Sequence, residues 1–377
     1  MSKCRYRFSV FAIALIALAS FSHASQLDSA SAILTIINSP NATSPRQYRE
    51  AARVVAQDAK KGKPLQQFII AVKSRDPDFP LSAQINEDLR TRYYSSSRPI
   101  IQNMAQNHNK PLAWYLLALD ENDMTKLKKA ADGGNVQALN EWATMSIDRA
   151  LSNPLLEESD REKILRKSFE AFRKSATAKD PNGIYNLGIC HLQGYGVRPD
   201  CELAIDCFKD AAQKGHPEAM NNIGGLYRDG IGVEQDNVIA ARWFARSADL
   251  GNAYGLLNYA YCLQRGEGAV KDEERAARMF QQSADEGNLE AMNAYALCLL
   301  NGSGIEKAPS QAYEYLLKAA EAGFPPAMEN LAALLENGKE GVEKNPIESN
   351  VWSMRARAIR GDKNAAAWLM ENNKPLR

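Results

Sequence analysis

The chain has 377 residues and is close to electrically neutral, with 46 lysines and arginines against 45 aspartates and glutamates. This length exceeds one ordinary compact core unless the core is extended in one dimension. The balance of charge argues against nucleic-acid binding, which needs a basic surface that releases counterions.

The first two dozen residues are typical of a secretory signal peptide. Three basic residues (Lys3, Arg5 and Arg7) precede an apolar run over residues 8–18, and a Ser-His-Ala tripeptide ending at Ala24 fits a cleavage site. The run is about half of the roughly 20 residues that span a bilayer, which disfavours a membrane anchor. We therefore predict that residues 1–24 are removed, that the protein is periplasmic or secreted, and that the mature chain has no integral membrane segment.

Residues 25–106 predict an amino-terminal helical cap. Pro45 and Pro64 each open a short segment with apolar residues at helical spacing, and a third helix is predicted from about Leu81 to Tyr94.

Residues 107–361 consist of repeated segments. From one copy to the next a boundary residue recurs every 36 residues, and in sequence order these residues are Lys179, Gly215, Gly251, Gly287 and Gly323. The preceding copy is longer, with 45 residues from Gly134 to Lys179, and we expect its surplus, around residues 151–161, to form a loop. Residues 362–377 repeat only the first half of a copy and predict a carboxy-terminal capping helix.

Each copy predicts a pair of helices. If the boundary residue is position 0, the residues at positions 4, 5, 8, 9, 11 and 12 fall on one apolar arc of a first helix. A second helix follows, with a small residue at positions 25 and 33 and a large apolar one at position 29. Isolated helices of this length are marginal in water, so the copies must stack to bury their apolar faces. The pattern predicts an all-α fold of helix-turn-helix repeats.

The central copy carries a family resemblance. Its run AMNNIGGLYRDGIGV over residues 219–233, followed by Asp236, Ala240, Trp243 and Ala248, closely resembles the Sel1-like repeat (SLR), a relative of the tetratricopeptide repeat. The resemblance implies a right-handed α-α superhelical solenoid whose first helices line a concave groove. It also implies a scaffold that binds a protein or an extended peptide, although fold analogy does not choose the ligand.

Two groups of residues are candidates for that groove. Asparagine recurs at position 7 (Asn186, Asn222, Asn258 and Asn330, interrupted by Ala294), and Tyr254, Leu257 and Tyr261 cluster on one copy. An amide can donate and accept at once, which suits the main chain of a peptide. Alternatively, the asparagines bond a neighbouring helix or loop and lock repeat stacking, and the apolar group packs against an adjacent copy.

The cysteines and histidines give little support for catalysis. Cys190 and Cys207 fall on the two helices of one copy and could form a disulfide, although such cysteines are most often small buried hydrophobic residues. We find no metal-ligand spacing, no cofactor-binding loop and no serine followed three residues later by lysine. We predict a non-enzymatic scaffold without a metal or cofactor. Secreted relatives suggest the alternative, a weak hydrolase that acts on β-lactams or cell-wall peptides.

Overall fold

The computed structural model describes residues 45–61, 63–73, 87–108 and 110–372, so the predicted signal peptide lies outside the described residues. Every regular element within these ranges is an α-helix, apart from an isolated β-bridge between Lys339 and Val342. No helix in the described ranges is long and apolar enough to cross a membrane. Within each of the two units described below, consecutive helices pack against each other, which confirms the predicted all-α solenoid of helix-turn-helix repeats.

The chain divides between Lys214 and Gly215 into two compact units. The helices of the first unit differ widely in length: α1 Pro45–Lys60, α2 Pro64–Lys73, α3 Glu87–Gln106, α4 Pro111–Glu121, α5 Met124–Asp132, α6 Val136–Ser152, α7 Glu158–Thr177, α8 Pro181–Gln193 and α9 Cys201–Gln213.

The second unit is regular, and most of its helices have 13 residues: α10 Pro217–Asp229, α11 Asn237–Asp249, α12 Ala253–Arg265, α13 Glu273–Asp285, α14 Leu289–Asn301, α15 Pro309–Glu321, α16 Pro325–Asn337, α17 Pro346–Ile359 and α18 Lys363–Glu371. Each first helix packs against the second helix of its own copy. The large apolar residues at position 29, Phe244 and Phe280, are fully buried between them.

Two sequence expectations differ from the structure. The third helix of the amino-terminal region, Glu87–Gln106, continues past Pro99, whereas the sequence predicted that it ends at about Tyr94; its predicted start, residues 81–86, lies outside the described residues. The surplus of the long copy is not a loop, because α6 has 17 residues, α7 has 20, and only residues 153–157 connect them. Both helices continue because the sequence around the connection keeps helix-forming side chains, and Pro154 lies in the short turn.

In two copies of the second unit, the loop between the two helices packs on the preceding copy. Gly268 has φ +72°, and a Cβ there would overlap the carbonyl of Asn237, the first residue of α11. Gly304 lies in the same way over the carbonyl of Glu273, the first residue of α13. The second glycine of the loop is therefore required both for its backbone angle and for close approach.

Candidate peptide-binding surface

The second unit exposes one side of α10, α12, α14 and α16, which we call the first-helix face. It carries the residues at positions 3, 6, 7, 10 and 13 of each copy. A side-chain cap fixes the start of α10, α12 and α14; the side chains of Asn252 and Asn288, for example, accept the N–H of Gly255 and Ala291. Because α10 contacts α12 and α14 contacts α16, side chains of successive copies meet along this face.

Asparagines on the first-helix face bond in pairs across successive copies. Asn258 Nδ2 donates to Asn221 Oδ1 at 2.8 Å, and Asn330 Nδ2 donates to Asn293 Oδ1 at 2.7 Å. In both pairs the donor is at position 7 and the acceptor at position 6 of the preceding copy. Asn258 and Asn330 thus bond the neighbouring repeat, which was the alternative interpretation of the asparagine ladder.

Leu257 is buried, whereas the sequence analysis placed it among the candidates for the exposed groove. Its side chain is 3% exposed and belongs to the core of the second unit, together with Ala294. Leu257 is at position 6 and Ala294 at position 7 of the next copy, so they stand where the asparagine pairs stand elsewhere. An apolar pair therefore replaces the amide pair at this step, which explains why the ladder is interrupted at Ala294.

The two tyrosines on α12 differ in their surroundings. Tyr254 is 61% exposed. Tyr261 is half-buried, packs edge-on against Phe280 with ring centroids 5.0 Å apart, and donates from its hydroxyl to Glu290 Oε1 at 3.2 Å. Burial, with help from the Glu290 carboxylate, raises the pKa of Tyr261 to about 12. The Tyr261 hydroxyl therefore stays a protonated donor at neutral pH. The Tyr254 ring offers open aromatic surface.

Arg228 is the position 13 residue of the first-helix face on α10. Its Nε and Nη2 donate to the two carboxylate oxygens of Asp229 at 2.8 and 2.9 Å, and its Nη1 lies 3.5 Å from Asn258 Oδ1. The hydrogen bond from Arg228 lowers the pKa of Asp229, so the carboxylate stays charged and holds the guanidinium in place. The cation is thereby kept beside the amide pair.

The remaining candidates of the predicted groove are more dispersed. Asn186 is half-buried on α8 of the first unit, and Asn222 is half-buried on α10 of the second. The structure therefore places the position 7 asparagines in both units, and the second unit holds Asn222, Asn258 and Asn330.

The described cysteines are free thiols, so Cys190 and Cys207 are not bonded to each other here, and their disulfide stays a prediction. They lie on the paired helices α8 and α9. Burial raises the pKa of Cys190 to about 12, with a smaller contribution from Cys207, and burial raises the pKa of Cys207 to about 11. Since the thiolate is the nucleophile, these thiols are poorly reactive at neutral pH.

Metal ligands do not cluster in the described ranges, where no group of three His, Cys, Asp or Glu side chains could hold an ion. The hydrolase alternative gains no reactive group from these residues. What the first-helix face offers is hydrogen bonding, aromatic surface and one fixed cation, which are the means of recognising a polypeptide.

Sequence reasoning missed Asn221 and Asn293. Their Nδ2 groups donate no hydrogen bond within the described part of the chain, while their Oδ1 atoms are occupied by the position 7 partners. The signal was present as a matched change: asparagine at position 6 accompanies asparagine at position 7 of the next copy, and Leu257 accompanies Ala294.

Hairpins that stack through glycine loops and amide pairs define an α-solenoid repeat protein. The family description Sel1 repeat matches residues 181–216, 217–252, 253–288, 289–324 and 325–353. Residues 181–353 therefore consist of five consecutive Sel1 repeats. No curated protein matches the chain.

Two solved structures are similar to this chain. One is a protective antigen present in uropathogenic Escherichia coli strains that displays an SLR fold; it has 26% identity and a TM-score of 0.53, over 85% of this chain and 67% of that one. The other is a Sel1 repeat protein from Oxalobacter formigenes, with 24% identity and a TM-score of 0.54, over 65% of this chain and 96% of that one. The second similarity bears on the fold alone.

Proposed function

We propose that this protein is an exported scaffold that binds a protein or an extended peptide along the first-helix face. The observation that carries this proposal is the pairing of Asn221 with Asn258 and of Asn293 with Asn330. In each pair the bond fixes the orientation of both amides and leaves the Nδ2 of the position 6 residue without a partner in the described chain.

Fixed amides suit the main chain of an extended segment. A peptide carbonyl can accept from Asn221 Nδ2 without either amide changing its orientation, so less conformational entropy is lost on binding. If neighbouring first helices are roughly 10 Å apart, the two pairs are roughly 20 Å apart, which about six residues of extended chain span. Tyr254, exposed one helical turn before Asn258 on α12, adds aromatic contact area.

Export rests on the leader-like residues 1–24 of the sequence. The relative with 26% identity is a protective antigen, which agrees with an exported role. Mass spectrometry of the protein recovered from its native host tests this directly. A mature chain that begins near residue 25 in the periplasm or medium supports export, and an intact leader in the cytoplasm contradicts it.

Peptide binding is tested with a phage library of random dodecapeptides selected on the purified chain from residue 25. We expect an enriched set whose synthetic members bind with a measurable Kd by fluorescence anisotropy. The variant Asn222→Ala/Asn258→Ala/Tyr261→Ala should weaken this binding at least tenfold. Val270→Ser, which changes an 87% exposed residue in the loop after α12, serves as the control with wild-type affinity.

A folding defect in the triple variant is separated from a binding defect by Tyr254→Ala. This side chain is 61% exposed, so its removal leaves the core untouched. Circular dichroism checks the helix content of both variants. Unchanged affinity in both folded variants, or no enriched peptide at all, would contradict the proposal.

A further inference from the structure

The residue at position 10 decides how the space between two successive first helices is filled. In the copy that begins at Gly251, this residue is Tyr261. Its ring packs on Phe280 at 5.0 Å between centroids, and its hydroxyl reaches Glu290, at position 3 of the next copy. An aromatic ring therefore spans the gap from α12 to α14.

The preceding copy has no side chain at this place. Position 10 is Gly225, and a Cβ built there would have no heavy atom within 4 Å. The residue that corresponds to Glu290 is Tyr254, the most exposed aromatic side chain among the described residues. The ring that Tyr261 supplies in its own copy is thus missing between Gly225 and Tyr254, and we call this place the Gly225 notch.

A fixed cation lies beside this notch. The Arg228 guanidinium, held by Asp229, is 5.9 Å from the centroid of the Phe244 ring, which corresponds to Phe280. An incoming ring that copied Tyr261 would meet the plane of this guanidinium and the face of Tyr254. Arginine above an aromatic face and offset aromatic pairs are both favourable arrangements.

We propose that the Gly225 notch binds an aromatic side chain of the ligand peptide, whose main chain follows the amide pair of Asn221 and Asn258. This inference rests on the proposed peptide-binding function and adds its specificity. The molecule itself supplies the argument for the occupant, because Tyr261 fills the equivalent space one copy later. The notch is open to solvent, so an aliphatic side chain gains less there than a ring that contacts Tyr254 and Arg228.

The chain provides a matched pair of variants at one position. Gly225→Tyr places in this copy the residue that the next copy has, and so fills the notch with the chain's own ring. Gly225→Ala adds a methyl group where no heavy atom lies within 4 Å and leaves the notch open. Alanine also raises helix propensity at this helical position, so neither substitution is expected to unfold α10.

The experiment selects the random dodecapeptide phage library in parallel on the wild-type chain, on Gly225→Tyr and on Gly225→Ala. We expect wild type and Gly225→Ala to enrich peptides with Phe, Tyr or Trp at one fixed position. We expect Gly225→Tyr to lose that preference. A synthetic peptide that binds wild type should lose about tenfold in affinity when its aromatic residue is changed to alanine. The same change in the peptide should cost little affinity for Gly225→Tyr, because the notch is already filled in that variant.

The outcomes separate this inference from the function on which it rests. Binders without an aromatic preference, or an equal preference on Gly225→Tyr, overturn the Gly225 notch but leave peptide binding standing. Absence of any enriched peptide overturns both. Sedimentation velocity detects self-association of the chain. If wild type dimerises and Gly225→Tyr does not, the occupant of the notch is a second copy of the chain and not a peptide, which overturns the proposal.

Discussion

The two units of this protein contain the same kind of helical hairpin but differ in how uniform their helix lengths are. In the second unit, helices α10 to α16 all have 13 residues, whereas the described helices of the first unit range from 9 to 20. The contact made by the loop glycine explains the difference. In the second unit, Gly268 and Gly304 lie over the carbonyl of the first residue of the preceding second helix.

The long copy of the first unit keeps this contact and adds its surplus elsewhere. Gly196 lies over the carbonyl of Leu165, the eighth residue of α7, rather than the first. The seven residues of α7 before Leu165 are two extra helical turns upstream of the contact. The comparison teaches that a repeat can lengthen only where the next copy does not touch it.

The largest expected effect comes from Gly268→Ala, which tests that contact. It should reduce the free energy of unfolding by about 4 kcal/mol, of which about 1 is due to the positive φ and about 3 to overlap with the Asn237 carbonyl. The measurement is a urea titration followed by circular dichroism at 222 nm.

Gly266→Ala is the matched control. Gly266 has the same φ of +72°. A Cβ added at Gly266 would have Lys271 Cβ, at 3.4 Å, as its nearest atom outside the two adjacent residues. It should therefore cost only about 1 kcal/mol, the cost of the left-handed angle. Equal losses in the two variants would show that the close approach to Asn237 does not set the repeat length.

The second expected effect is a pH dependence at His216, the cap of α10. Its Nδ1 accepts the N–H of Ala219 at 3.2 Å, so this nitrogen carries no proton even though Glu218 Oε2 lies 3.2 Å away. Burial lowers the pKa of His216 to about 4, below its usual 6.5. Protons then bind the unfolded chain more tightly, and stability should fall by about 3 kcal/mol as the pH drops from 6.5 to 4.

His216→Asn is the variant that sharpens this prediction. Asparagine is the cap at the same place in the next two copies, where Asn252 and Asn288 cap α12 and α14. The variant should keep the cap and lose the pH dependence between 6.5 and 4, as followed by thermal unfolding at each pH. An identical slope in wild type and variant would assign the pH dependence to other groups.

The smallest expected effect compares the amide and apolar steps of the first-helix face. Asn258→Ala removes the partner of Asn221 and should cost about 1 kcal/mol. The double variant Asn221→Leu/Asn258→Ala copies the buried pair of Leu257 and Ala294 and should recover most of that loss. Thermal unfolding of both variants measures the coupling. A double variant less stable than Asn258→Ala would show that the two steps are not interchangeable.

The degree to which this molecule could be predicted differs between fold and surface. The 36-residue period and the apolar arcs predicted the hairpins, because each helix has to bury one face wherever it is placed. The asparagine column was found, yet its role was not, since the partner of Asn258 is Asn221, 37 positions earlier. Leu257 was misplaced for the same reason: positions 6 and 7 lie near the edge of the apolar arc, and only the neighbouring copy decides whether they are covered.

By itself the sequence determined the helical class, the repeat and the places where copies begin, since these follow from local periodicity and from glycines at helix ends. The tertiary structure alone decided which amides are occupied, where the long copy takes up its surplus and that the space at Gly225 stays open. Those features depend on contacts between residues of different copies, which side-chain periodicity within one helix does not encode.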